Sequence, residues 1–258
     1  MVATGFRSLK PERSYKEGFR EMKKDDVCAL IRKIAIIPAI RVSSGADAHF
    51  AAGAVTRGGI PIVEITMTVP GAVELITHLV RNDPNTIVGA GTVLDSHTAR
   101  RCLDAGASFL TAPECYSEVM QFAVKENVAI LPGALTPTEV AAAWRSGADF
   151  VKVFPCAQVG GDQYIKALHT ALPHIPLIAA GGVNQQTAAN FIISGATAIG
   201  VGTELIPTEA IARRQPKRIR ELALRFAKFV KEARERVEEI ERNTVAQRYE
   251  ESEECETR

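Results

Sequence analysis

What the sequence lacks narrows its function first. Its five cysteines, Cys28, Cys102, Cys115, Cys156 and Cys255, form no CxxC pair. An odd, unpatterned set argues against a disulfide framework or a zinc site and suits a reducing cytosol. The five histidines include no HxxxH or HxH pair, so no metal centre is expected. No apolar run reaches the roughly 18 residues needed to span a bilayer, and the polar N-terminal stretch has no apolar segment of a secretory signal. A cytoplasmic protein is expected. Neither sign of charge is in excess: the formal net charge is +1, which gives no reason to expect nucleic acid or an anionic membrane as partner. Missing too is a GxGxxG turn after the first apolar run, the mark of a dinucleotide-binding open sheet.

What is present is alternation. At 46% hydrophobic residues the chain can bury a full core. Residues 1–22 are polar and irregular and are expected to form a loosely held arm. Residues 25–33 (DDVCALIRK) then read as a short helix, acids leading and bases closing. Apolar runs follow at 34–42, 62–67, 86–93, 109–112, 128–131, 150–154, 177–180 and 198–201, each succeeded by a helical pattern. One of these helices opens with a capping box, Thr136 as N-cap, Pro137 next and Glu139 at the third position. Eight such units predict an α/β fold, a closed (β/α)₈ TIM barrel over residues 23–230 with an N-terminal helix and charged terminal extensions. A doubly wound open sheet is the alternative. The last helical region is expected from Thr203 onward. Residues 231–258, almost all polar, read as a helix projecting into solvent with i,i+4 ion pairs or as a disordered tail.

The sixth run organises the rest. Asp149-Phe150-Val151-Lys152-Val153-Phe154-Pro155-Cys156 reads as a buried strand with a lysine at its centre. Burying an ammonium without a partner is costly. Lys152 therefore either snorkels to water, pairs with a carboxylate, or is held as a neutral amine able to attack a carbonyl carbon. In a barrel, chemistry belongs at the C-terminal ends of the strands, and there the residues that break the apolar rule recur. They are Arg41, Glu64, Gly91-Thr92, Pro113, Pro132-Gly133, Lys152, Gly181-Gly182 and Gly200-Val201-Gly202. Any one has a bland explanation, as half of an ion pair or a turn glycine. A buried arginine, glutamate and lysine at one mouth point to a polar ligand. Amides of Gly181-Gly182-Val183 and Gly202-Thr203, after the last two strands, suit a phosphate.

The motifs IPAIRV, VEITMTVPGAV, VGAGTV, LPGALTPTE, FVKVFPC, GGVN and GVGTELI together resemble the 2-keto-3-deoxy-6-phosphogluconate (KDPG)/4-hydroxy-2-oxoglutarate aldolase family. The match runs from about Asp26 to Glu209. The resemblance implies a lyase without cofactor or metal, in which Lys152 forms the Schiff base and Glu64 is the general acid/base. It implies that Arg41 holds the substrate carboxylate and that Thr92, Pro113 and Phe154 line the substrate. Gly181, Gly182, Gly202 and Thr203 would form the phosphate site. It further implies a phosphorylated 2-keto acid as ligand and a homotrimer. Lys166 is the next candidate nucleophile should Lys152 fail. Other readings are a different phosphate-binding barrel enzyme, or a barrel kept as an assembly module.

Three positions depart from the family pattern. Thr68 stands where other members place an arginine four residues after the glutamate, which leaves Arg41 as the carboxylate partner. Ala180 replaces a threonine common before the GG pair in gluconate-preferring members. Asp162 follows Gly160-Gly161 where a neutral residue is commoner, and an acid there is expected to point away from a phosphate or to weaken its binding.

Overall fold

In the computed structural model residues 22–256 are described. The arm expected over residues 1–22 lies outside them, save Met22. Helix α1 (Lys24–Ile34) leads into β1 (Ile36–Ile40), and strands and helices then alternate. They are α2 (Gly45–Arg57), β2 (Ile62–Thr66), α3 (Ala72–Asn82), β3 (Ile87–Gly91), α4 (Ser96–Asp104), β4 (Phe109–Thr111), α5 (Ser117–Lys125) and β5 (Ala129–Leu131). The second half holds β6 (Gly133–Ala134), α6 (Pro137–Arg145), β7 (Val151–Val153), α7 (Gly161–Ala171), β8 (Leu177–Ala180), α8 (Ala188–Ile193) and β9 (Ala196–Val201). Helices α9 (Thr208–Ala212) and α10 (Pro216–Glu256) close the chain.

All paired strands are parallel, in the order β5-β4-β3-β2-β1-β9-β8-β7-β6. The two ends of that order, β5 and β6, are halves of one stave separated only by Pro132. Proline has no N–H to donate and breaks the ladder there, while its carbonyl still accepts from the Lys152 N–H at 2.9 Å. The barrel therefore has eight staves. Its strands are buried on both faces, which is why they read as continuous apolar runs without polar alternation.

Local chemistry starts the helices where expected. The Thr136 hydroxyl accepts from the Glu139 N–H, and the Glu139 carboxylate accepts from the N–H groups of Leu135 and Thr136. Ser44 and Asp95 cap α2 and α4 through the N–H groups of Asp47 and Thr98. Other boundaries moved. Residues 203–207 are not helical, and α8 begins at Ala188 because Asn184 folds residues 184–187 into a turn, its side-chain oxygen accepting from the N–H groups of Gln186 and Thr187.

Helix α1 packs on β5 and β9, on different sides of the barrel, and so lies across its N-terminal end. The Arg32 guanidinium sits 4.7 Å from the centre of the fully buried Phe150 ring, and Lys24 pairs with Asp149 at 2.8 Å. Asp149 also accepts from the Ile130 N–H. Helix α10 buries Ile219, Ala223, Phe226 and Val230 while packing on α2 and α8. Farther along, Lys228–Glu232, Lys231–Glu235 and Glu238–Arg242 pairs at 3.6–3.9 Å lie along its surface. Of the two readings of residues 231–258, the helical one describes the chain through Glu256.

Candidate active site

Among the described residues four polar side chains are buried, Glu64, Thr66, Thr86 and Thr111, and only Glu64 is charged. Its carboxylate lies over the bare α-carbon of Gly91: a methyl group there would stand 2.0 Å from Glu64 Oε1. Glycine at 91 is what admits this carboxylate to the barrel. No hydrogen bond or ion pair engages it among the described residues. The residue is 4% exposed and its oxygens are not among the fully buried unpaired atoms, so the carboxylate keeps a narrow access to solvent that lowers the cost of placing it there.

The register shows what shares its level. Glu64 pairs with Gly89, and Gly89 with Phe109; two residues on is Thr111. Thr111 pairs with Leu131; two residues on is Gly133, the partner of Lys152. Lys152 pairs with Ile178 and Ile178 with Ala198; two residues on is Gly200. Gly200 pairs with Ile37, and two residues on Ala39 pairs with Glu64 again. Four advances of two residues close the circuit, which is the shear of eight of a (β/α)₈ barrel. Glu64, Thr111, Lys152 and Gly200 thus form one layer drawn from alternate staves. Glu64 faces Lys152 across it, and Thr111 faces a residue with no side chain.

The other sequence candidates ring this layer. The Lys152 ammonium position lies 5.3 Å from the centre of the Phe154 ring. That ring reaches the Gly181 loop, where a Cβ would stand 3.1 Å from it. Thr92, next to Gly91, holds the left-handed φ of 59°, a strained conformation for a β-branched residue and the kind that clusters at functional sites. The Pro113 carbonyl occupies the place a side chain on Gly133 would need. The glycines at 181 and 182 have φ of 83° and 87°. The backbone N–H groups of Gly182, Val183, Gly202 and Thr203 have no hydrogen-bond partner among the described residues.

Two expectations of burial are corrected: Lys152 is only half-buried on β7, and the second concerns Arg41. Arg41, expected to be buried, is exposed; β1 ends at Ile40, so the arginine is the first residue of the rim and its stem reaches water. It makes no ion pair among the described residues. Lys166 is exposed on α7, outside the barrel. The departures have local accounts. The Thr66 hydroxyl donates to the Ile40 carbonyl at 3.1 Å, so in its 2.7 Å bond with Thr68 the Thr68 hydroxyl is the donor. Thr68 ties the rim together and brings no charge. Asp162 occupies the first turn of α7, where a carboxylate is favoured by the helix dipole, and accepts from the Gln163 amide at 3.2 Å. Burial pushes the Cys156 thiol up to about 11, with opposing backbone hydrogen bonds, so it is no rival nucleophile near neutral pH.

A family model, KDPG and KHG aldolase, matches residues 27–222. The chain belongs to the KDPG and KHG aldolase family. It is 32% identical over 194 residues to the 2-dehydro-3-deoxy-phosphogluconate aldolase of Pseudomonas aeruginosa, covering 75% of this chain and 88% of that one. It is also 32% identical to the 2-dehydro-3-deoxy-6-phosphogalactonate aldolase of Escherichia coli over 208 residues, 80% of this chain and 98% of that one. Among solved structures, the KDPG aldolase of Legionella pneumophila with pyruvate captured as a covalent carbinolamine superposes with a TM-score of 0.71 at 27% identity, covering 76% of this chain and 96% of that one. As a member of an aldolase family the protein is a lyase. Thr111 and Gly200 are the layer members that the sequence reading gave no role of their own. Among the described residues no helix is long and apolar enough to cross a membrane.

Proposed function

We propose that this aldolase works through a Schiff base on Lys152 and cleaves a phosphorylated 2-keto-3-deoxy sugar acid to pyruvate and glyceraldehyde 3-phosphate. The observation that carries the reading is the one buried charge among the described residues, Glu64, facing Lys152 across one layer of the barrel. The neutral Lys152 amine attacks the C2 ketone, and loss of water leaves an iminium. Glu64, directly or through a water, takes the proton of the C4 hydroxyl. The C3–C4 bond breaks, its electrons flow into the iminium, and the aldehyde half departs. Glu64 then returns the proton to C3 of the enamine, and hydrolysis frees pyruvate and the amine.

Arg41 sits at the rim on a long stem and supplies the bidentate cation for the substrate carboxylate. Thr92, Pro113 and Phe154 line the pyruvate half, with Thr92 held in its strained backbone. The free amides of Gly182, Val183, Gly202 and Thr203, with Gly181 allowing the turn, receive the phosphate. We assign the active form to a homotrimer in the cytoplasm; the latter accords with the unpaired Cys28, Cys102, Cys115 and Cys156. Incubation with pyruvate and borohydride should leave a reduced adduct on Lys152, located by mass spectrometry. No adduct, or one on Lys166, would overturn the reading. Steady-state comparison of KDPG, its galactonate epimer and 4-hydroxy-2-oxoglutarate then ranks the substrates.

A further inference from the structure

Thr111 is unexplained by the machinery above. Its hydroxyl is buried and has no hydrogen-bond partner among the described residues. A buried unpaired hydroxyl is costly, and a native fold that keeps one calls for an explanation. Packing gives none, because valine has the same shape and would avoid the cost.

Its position does. Thr111 lies in the layer of Glu64 and Lys152, on the stave midway between theirs. One strand, β3, separates it from Glu64 along the sheet and contributes only Gly91 at this height. The register continues from Gly89–Phe109 and Ala90–Leu110 to set Gly91 beside Thr111. The spot a side chain on Gly91 would fill is taken by Glu64 itself, whose Oε1 stands 2.0 Å from it, so the carboxylate reaches over β3 towards the stave that carries Thr111. The two side chains are not hydrogen-bonded to each other among the described residues, and a group that bonded both would satisfy both. Opposite Thr111 the layer holds Gly200, which brings no side chain between the reacting groups.

We propose that Thr111 is a positioning residue for proton transfer: its hydroxyl and the Glu64 carboxylate together hold the water, or the C4 oxygen of the substrate, through which Glu64 exchanges its proton. The inference rests on the Schiff-base reading of Lys152 and Glu64. A hydroxyl has one hydrogen and two lone pairs, so it donates to that oxygen and fixes its direction towards the carboxylate. It takes no proton itself.

The test separates imine formation from proton transfer. Wild type, Thr111→Val and Thr111→Ser are compared for borohydride trapping of pyruvate on Lys152, and for solvent exchange of the pyruvate methyl protons at saturating pyruvate. Expected is undiminished trapping in all three, with exchange slowed roughly three- to tenfold in Thr111→Val, the range for one lost hydrogen bond. Thr111→Ser should restore the rate, and KM for pyruvate should not change. Should the valine variant fail to fold, the Thr111→Ser and Thr111→Ala pair makes the same comparison, differing only by a hydroxyl. Wild-type exchange in a folded valine variant that still traps pyruvate would overturn the role of Thr111 alone. So would equal slowing by valine and serine, which marks a packing effect. Absence of trapping in wild type would overturn the Schiff-base reading and this one with it.

Discussion

The two ends of the barrel treat polar groups in opposite ways. At the N-terminal end the groups around α1 hold one another: Lys24 pairs with Asp149, Asp149 also accepts from the Ile130 N–H, and Arg234 on α10 donates to the carbonyls of Arg32 and Lys33 in the last turn of α1. Arg32 itself lies on the Phe150 ring. At the C-terminal end a carboxylate, a hydroxyl and four backbone amides stand without partners, beside a threonine in a left-handed backbone. Buried polar groups in native proteins are almost always satisfied. The Thr111 hydroxyl is such an exception and shares its layer with the unpartnered Glu64, while the other fully buried unpaired atom among the described residues, His169 Nδ1, stands alone beside Gly195 at the opposite end. It is the grouping of unpaired groups in one layer that marks where stability has been given up for binding.

That contrast can be broken from either side. Lys152→Arg keeps a cation and should keep the fold, yet abolish the pyruvate adduct, because a guanidinium does not form it; mass spectrometry after borohydride treatment decides. Glu64→Gln should lower turnover on the order of 10²–10⁴-fold while leaving the melting temperature unchanged or higher, since it removes an unpaired buried charge. A clear loss of stability in Glu64→Gln would mean the carboxylate is structural after all. The converse holds below. Asp149→Ala strands Lys24 and the Ile130 N–H and should cost about 1–3 kcal/mol in chemical denaturation, with turnover per folded molecule unchanged. Smallest is Ala180→Thr. Ala180 is buried and lies beside the bare α-carbon of Gly200, 3.1 Å from where a Cβ would stand there. An added hydroxyl should sharpen the preference between gluconate and galactonate epimers by roughly three- to tenfold, without affecting the adduct on Lys152. An unchanged epimer ratio, or wild type already separating them by several hundredfold, would remove Ala180 from the specificity argument.

Much of this was legible in the sequence because its causes are local. The eight strand–helix units follow from apolar runs and their spacing, and the Thr136–Glu139 capping box from two side chains three residues apart. Glu64 and Lys152 could be found as charges interrupting apolar runs. Thr111 could not. In the run FLTA a threonine reads as an ordinary strand former, and what distinguishes it is its register with Gly89, Gly91 and Glu64, more than 40 residues earlier for the last. Arg41 failed for a related reason: whether the residue after a strand is inside or on the rim depends on where the strand stops, and β1 stops one residue short of it. The helical start expected at Thr203 was displaced because the chain first passes through Pro207, which does not continue a helix begun upstream.

Helix α1 across the floor of the barrel has a kinetic meaning. Below the Lys152 layer the barrel is filled by side chains such as Phe109, whose ring covers Gly89, and α1 lies beneath them, so the site opens at the C-terminal end. If pyruvate is the half held covalently at the Lys152 layer, the aldehyde lies between it and the only exit, and must diffuse away first. Pyruvate added as a product should then compete with the substrate for the free enzyme. The aldehyde should inhibit by trapping the enamine and driving the reaction backwards. A floor that looks purely architectural would in this way keep both halves on one path, in the order that the covalent enamine already sets.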